Sequence, residues 1–270
     1  MSKEVLYFFS SLLYFFKEGM MDGIVFETPL VEGVILKRSS MYTMAVSVDD
    51  QEVQCHCPTK GRIGNIDVIG RPCLLSPSKD PRRKTKYTVE AISLNQPADE
   101  KKEWIGINQN AANRYVEHYL KKGAFEDIIG KVDSVRREVF LGDSKLDFLA
   151  DDTYIEVKTP LQFLQIEIPD HVKTKKATPF SSTDRMTRHM KELADSLEHY
   201  HKAVLLVVFL YDNPGFRVVE KSTKWKEVSK TVRDCVSKGV EIWQANFRID
   251  EKGVVLQKLF PINVDLPLDL

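Results

Sequence analysis

The segment running from Asp147 through Asp151-Asp152 to Glu156-Val-Lys158 restricts this chain more than any other stretch of it. It reads as two short strands, 145–150 and 153–158, around Asp151-Asp152 as a two-residue hairpin loop. With Ala150 paired to Thr153, Asp147 falls opposite Glu156, and the two-residue period of a strand puts Lys158 on the same face. Two carboxylates facing each other across a ladder repel. A hard divalent cation, Mg²⁺ or Mn²⁺, takes oxygen ligands and keeps several waters, so it converts that repulsion into binding and leaves room for a phosphate and an attacking water. Asp147, Glu156 and the Val157 backbone carbonyl are the candidate ligands. Lys158 would orient the water or offset the charge developing on the phosphoryl group. The chemistry indicated is metal-dependent phosphodiester hydrolysis. Acidic and basic residues alternating along a strand also describe a solvated sheet face, and that alternative stands beside the first. Ile155 and Val157 alternate with the charged residues as a buried opposite face would.

The chain has 270 residues and is 43% hydrophobic, enough for one large globular domain or two modest ones. Its 39 basic and 39 acidic side chains cancel, so any affinity for nucleic acid must come from local basic patches. Cys55, Cys57, Cys73 and Cys235 form no evident disulfide framework and suit a reducing cytoplasm. Cys55-His56-Cys57 is a poor zinc motif, because a strand turns the two sulfurs one way and the imidazole the other, and no second Cys/His pair lies nearby. Residues 1–25 read as an apolar extension. Val5 to Phe16 is too short to span a bilayer, and Lys17-Glu18 follows it without a cleavage pattern. The extension is either an upstream continuation of the reading frame before Met20 and Met21 or an amphipathic helix covering an apolar surface. No membrane segment is expected.

Short alternating runs over 26–96 predict a small barrel or sandwich. Met44, Val46 and Val48 precede the turn Asp49-Asp50, Val53, Cys55 and Cys57 follow it, and strands recur at 73–76 and 87–94. The basic loops, with Arg62 in one and Arg82, Arg83 and Lys84 in the other, suggest an oligonucleotide-binding barrel that tracks a phosphate backbone, although a single basic loop is also an ordinary solvated turn. After a polar linker, 104–260 alternates helices and strands, giving a mixed α/β fold. A helix is expected over 110–122 with Gly123 as its stop, a strand over 134–141, and a turn at Gly142-Asp143 before the acid hairpin. Residues 161–182 show no period and are expected to form a mobile loop near the site. Ser182 or Thr183 can cap the next helix, whose buried stripe is Met186, Met190, Leu193 and Leu197. Arg185, Arg188 and His189 lie off that stripe, where they could meet phosphates. A doubly buried strand at 203–211, a helix at 225–238 and strands at 240–249 and 254–259 complete the pattern.

A helix, three antiparallel strands, a helix and a buried strand, with Asp147 and Glu156-x-Lys158 on adjacent strands, is similar to the core of the PD-(D/E)xK nuclease superfamily. Seven segments in order resemble the sugar fermentation stimulation protein family: Leu30-Val-Glu-Gly33, Cys57-Pro-Thr-Lys-Gly-Arg62, Asp80-Pro-Arg-Arg-Lys84, Asn113-Arg-Tyr-Val-Glu117, Gly142-Asp-Ser-Lys-Leu-Asp147, Ile155-Glu-Val-Lys158 and Thr183-Asp-Arg-Met-Thr-Arg-His-Met190. The resemblance implies an oligonucleotide-binding barrel, a nuclease-like α/β domain, and DNA binding without strong sequence preference. It assigns Asp147, Glu156 and Lys158 to the nuclease signature and Glu117 to an acidic helix position that helps hold metal. Arg185 and His189 match the family's later helix. The chain departs from the family pattern at Lys60, at Met186 and in the stretch after Lys158.

Three function classes follow. In the first, nucleic acid lies between barrel and α/β domain and is hydrolysed with Mg²⁺ or Mn²⁺. In the second, the same fold binds DNA without chemistry and regulates sugar (maltose) utilisation genes. A carbohydrate or metabolite enzyme is disfavoured, since no Gly-rich phosphate loop follows a strand. No readable recognition helix is apparent, which argues against direct base readout. DNA and RNA stay open as substrates, as do endo and exo cleavage and the assembly, a homodimer among the options.

Overall fold

The computed structural model of the chain describes residues 23–176, 183–217 and 222–263. A two-residue strand, β1 (Ile24–Val25), precedes the first sheet, which holds β2 (Val31–Arg38), β3 (Thr43–Val48), β4 (Gln51–His56), β5 (Pro72–Pro77), β6 (Tyr87–Ser93) and β7 (Trp104–Gly106). Asp49 and Asp50 both take positive φ, 48° and 60°, the backbone of the tight turn whose twist matches two antiparallel strands, and Val48 pairs with Gln51 across it. The strands run in the order β4-β3-β2-β5-β6, and a parallel pairing of β4 with β6 closes them into a five-stranded barrel. Closure removes the exposed edges that an open sheet would leave. Met44, Val46 and Val48 point inward as the alternation requires. Cys55, Cys57 and Cys73 are free thiols in the interior, and burial pushes the Cys55 thiol up to about 11.

The second unit contains α1 (Gln109–Lys121), α2 (Glu126–Ile129), β8 (Val135–Leu141), β9 (Ser144–Ala150), β10 (Thr153–Lys158), α3 (Asp184–Ser196), β11 (Lys202–Phe209), α4 (Trp225–Ser237), β12 (Glu241–Ile249) and β13 (Gly253–Pro261). Its sheet order is β1-β13-β12-β11-β10-β9-β8, parallel from β10 through β12 and antiparallel on both flanks. β11 is apolar on every residue after Lys202 because both of its faces are covered. Leu205, Val207 and Phe209 join the core under α3 and α4, while Val204, Leu206 and Val208 join the core under α1. Gly123 has φ +76° where α1 stops, a conformation that favours glycine. Among the described residues no helix is long and apolar enough to cross a membrane.

Local pattern and tertiary pairing part company in four places. Residues 104–106, expected to open the second domain, instead pair with β6 in the barrel sheet, while Ile24–Val25 pairs with β13 in the other sheet. The two units therefore exchange strands, and their cores run together: Leu30, Leu74 and Trp104 pack in one cluster with α1 and β11. Gly106 sits against the Leu210 side chain and donates its N–H to the Leu210 carbonyl at 2.8 Å, so a side chain there would collide. The aperiodic segment expected to be mobile is, over 161–176, a strap tied to the barrel. Gly64 donates to Leu161, Asp67 to Lys173 and Lys175 to Asn65, and Leu161, Leu164 and Val172 are buried beneath it. Its lack of period reflects irregular packing against another element rather than solvation. Thr183 occupies the N-cap position of α3, yet its hydroxyl makes no capping bond and is buried without a partner. The alternative cap Ser182, like residues 177–181 of the expected loop and residues 1–22 of the extension, lies outside the described residues.

Candidate active site

The hairpin forms in the expected register, with Ala150 opposite Thr153 and the turn closed by Asp151 at φ 47°. The ladder pairs run to Phe148 and Ile155. One step further, the Asp147 carboxylate accepts a hydrogen bond from the Val157 N–H at 2.8 Å and another from Asn113 Nδ2 at 2.7 Å. Asn113 comes from α1, so the helix clamps the acid from outside the sheet. Burial raises the Asp147 pKa above the ordinary carboxylate value and the Glu156 charge raises it further, while the Val157 N–H, Asn113 and Lys158 pull the other way.

Glu156 is 1% exposed, a rare condition for a carboxylate. Its Oε1 receives the Lys158 ammonium and the His189 imidazole, the latter through Nδ1 at 2.6 Å. An arginine only donates, so Nε2 accepts from Arg185 Nε at 3.4 Å and Nδ1 is the nitrogen that donates to Glu156. The second oxygen, Oε2, is buried with no hydrogen-bond partner. The Lys158 side chain is 30% exposed and links this buried acid to solvent.

The structure thus joins Asp147, Glu156, Lys158, His189 and Arg185. His189 differs from its expected place: it is 3% exposed and faces Glu156 instead of open solvent, because the turn of α3 that carries it lies over β10. Arg185 and Arg188 are exposed as expected, and Arg188 donates to Ser144 Oγ at 3.1 Å. Glu117 pairs with Lys121 at 2.7 Å and Arg137 at 3.2 Å, while Asn113, one helical turn earlier, reaches Asp147. The four-residue spacing that puts both on one side of a helix was the available signal for Asn113. Arg62, Arg82, Arg83 and Lys84 lie on barrel loops. Arg82 forks onto Asp80 at 3.0 and 3.1 Å, and Arg83 donates to Thr85 Oγ1 at 3.2 Å. Among the described residues, no group of three or more His, Cys, Asp and Glu is arranged to hold a metal ion.

A closed five-stranded, oligonucleotide-binding-like barrel whose core runs into that of a mixed α/β sheet, the latter bearing a half-buried aspartate, a buried glutamate and a lysine, defines a two-module class of protein. The chain belongs to the sugar fermentation stimulation protein family: the family's RE domain matches residues 110–253 and its N-terminal OB domain matches residues 36–107. A sugar fermentation stimulation protein homolog of Pseudoalteromonas atlantica is 32% identical over 250 residues, covering 88% of this chain and 99% of the relative. The Microcystis aeruginosa homolog is 29% identical over 236 residues, covering 83% of this chain and 91% of its own. Among solved structures, SfsA of Pyrococcus furiosus in complex with Ca²⁺ superposes with a TM-score of 0.66 at 16% identity, covering 90% of this chain and all of that one.

Proposed function

We propose that this protein binds nucleic acid with little sequence preference and hydrolyses its phosphodiester bonds with a divalent cation, Mg²⁺ or Mn²⁺. The observation that carries the reading is Glu156 Oε2, a carboxylate oxygen that is buried, unpartnered and set beside a second acid, Asp147. Leaving such an oxygen dry and unsatisfied is costly, and a hard cation relieves it. Asp147 and Glu156 would hold the ion with the Val157 carbonyl, a two-carboxylate set that suits a cation retaining several waters. The Pyrococcus furiosus relative holds Ca²⁺, another hard divalent ion. When bound, such an ion polarises a phosphoryl oxygen and lowers the pKa of a coordinated water.

The chain's own residues supply the rest. Asn113 and the Val157 N–H hold the Asp147 carboxylate, and His189 holds Glu156 in one orientation. Lys158 presents an ammonium at the solvent side of the acid pair, where it offsets charge building on the phosphate. Arg185 and Arg188 on α3, together with Arg62, Arg82, Arg83 and Lys84 on the barrel, attract the backbone. The four buried free cysteines suit a reducing compartment such as the cytoplasm.

A second reading, binding without cleavage, also has an observation in its favour. Lys158 and His189 converge on the same oxygen of Glu156, so that acid already has internal partners. Assaying single- and double-stranded DNA and RNA with Mg²⁺, Mn²⁺ or EDTA separates the two. Lys158→Ala should slow cleavage by about a hundredfold, the scale for losing one transition-state donor, while changing affinity only a few-fold. Wild-type protein free of contaminating nuclease that cuts none of the four substrates would leave only the non-catalytic DNA-binding regulator of sugar metabolism genes.

A further inference from the structure

We infer that the barrel carries a base-stacking platform for single-stranded nucleic acid, centred on Tyr42 with Lys60 across its ring. The inference rests on the nucleic-acid reading above and deepens it by naming the form of the ligand. Tyr42 and Met41 lie in the β2–β3 turn and are 45% and 56% exposed, a large apolar area to leave in water. The Lys60 ammonium, from the β4–β5 loop, stands 5.8 Å from the centre of the Tyr42 ring, within cation–π range.

The two loops are tied into one rigid surface by Arg38. Its guanidinium donates to the carbonyls of Gly61 at 2.9 Å, Thr59 at 2.6 Å and Met41 at 3.3 Å, and the Cys57 N–H donates to the Tyr42 carbonyl at 2.8 Å. A ring held in place before binding loses little freedom on stacking with a base.

The two segments that carry the platform have charge of one sign. No Asp or Glu occurs from Leu36 to Val48 or from Val53 to Ile66, while Lys37, Arg38, Lys60 and Arg62 fall within those stretches. The Ser78–Lys86 loop differs, since Asp80 within it already engages Arg82. An exposed aromatic ring flanked by basic residues matches a chain of phosphates whose bases are free to splay outward, as they are in a single strand and not in a duplex.

Hydrogen bonds also link the platform's second loop, through the 107–109 linker, to the strand that carries Glu156 and Lys158. The Thr59 hydroxyl donates to the Ile107 carbonyl, and Gln109, two residues on, donates to the carbonyl of Thr159 at 2.5 Å. Thr159 follows Lys158 directly. These bonds fix the barrel loop that carries Lys60 relative to the end of β10.

Fluorescence anisotropy with a labelled thymidine oligonucleotide, alone and as a duplex, tests this without any need for cleavage. Tyr42→Ala should weaken single-strand binding by about tenfold to a hundredfold, the range for one lost base stack, with an unchanged salt slope. Tyr42→Phe should bind like wild type, since it keeps the ring. Lys60→Ala should reduce the single-strand slope of log K against log salt by about 0.7, one phosphate contact. Equal single-strand affinity in Tyr42→Ala and wild type, or an equal loss for single strand and duplex, overturns the platform. Wild type that binds duplex alone overturns it too, leaving the broader reading intact. Wild type that binds no nucleic acid sinks both.

Discussion

The acid hairpin and the barrel's basic loop both concentrate charge, in opposite settings. Glu156 is 1% exposed, whereas the Arg82 side chain beside Asp80 is 89% exposed. At the hairpin, Glu156 is shielded from solvent and neighbouring charges act strongly on one another: Asp147 is pushed up first by burial and then by its neighbour's charge. At the loop, solvent screens the Arg82–Asp80 pair, and an exposed pair of this kind contributes at most about 1 kcal/mol. Arg82 can therefore exchange Asp80 for a phosphate at little cost. The hairpin is built to hold a fixed geometry and the loop to attract a partner without choosing one.

The contrast breaks first if the hairpin is not core. Phe148 is fully buried beside Asp147, and Phe148→Ala should lower stability by about 3–5 kcal/mol in urea unfolding. A loss under about 1 kcal/mol would mean that the acid pair sits on a yielding surface. Next comes Asp147→Asn, which removes one carboxylate of the pair. Calorimetric titration with Mg²⁺ or Mn²⁺ should show affinity at least about tenfold weaker, in line with losing a ligand or its support. Unchanged divalent binding would detach the metal from this pair.

The loop should respond differently. Replacing Arg82 and Arg83 together by alanine should leave thermal stability within about 0.5 kcal/mol. The same change should lower the slope of log K against log salt for duplex DNA by about one to two units. An unchanged slope would reduce the loop to a solvated turn.

The smallest effect sharpens the role of Glu117. Its hydrogen bond from Lys121 and the neighbouring charges of Lys121 and Arg137 hold its pKa below the usual glutamate value. A depressed folded-state pKa stabilises the protein at neutral pH, and that stabilisation disappears as pH falls through the folded value, below the ordinary glutamate range. Glu117→Gln should therefore cost under about 1 kcal/mol at pH 7 and nothing in strong acid, as read by thermal unfolding across pH. A large loss of divalent binding in this variant would instead support the metal-holding role that the family resemblance assigns to it.

Much of the architecture is readable from local pattern. Asp49-Asp50 and Asp151-Asp152 are loop pairs flanked by alternating residues, and both turns form in the expected register. The apolar run at 203–211 reads as a strand with both faces covered, and β11 (Lys202–Phe209) is that strand. Local pattern misleads where a segment's partner is remote. Trp104–Gly106 carries no mark of barrel membership, because its partner β6 is chosen by long-range packing. The 161–176 strap looks unstructured since its hydrogen bonds go to the barrel rather than to itself.

The sequence by itself determined the turn chemistry, the two faces of the hairpin and the shared side of Asp147, Glu156 and Lys158, because those depend on neighbours a few residues away and on the two-residue period of a strand. Only the tertiary structure decided that Asn113, 34 residues from Asp147, is its hydrogen-bond donor, and that His189, 33 residues from Glu156, turns inward to it. Tertiary structure alone also brings Lys60 over the Tyr42 ring. Apart from Asn113's place one helical turn before Glu117, such pairings have no local signature: side chains far apart in sequence meet only once helix, sheet and barrel have packed, and packing selects partners by shape and burial.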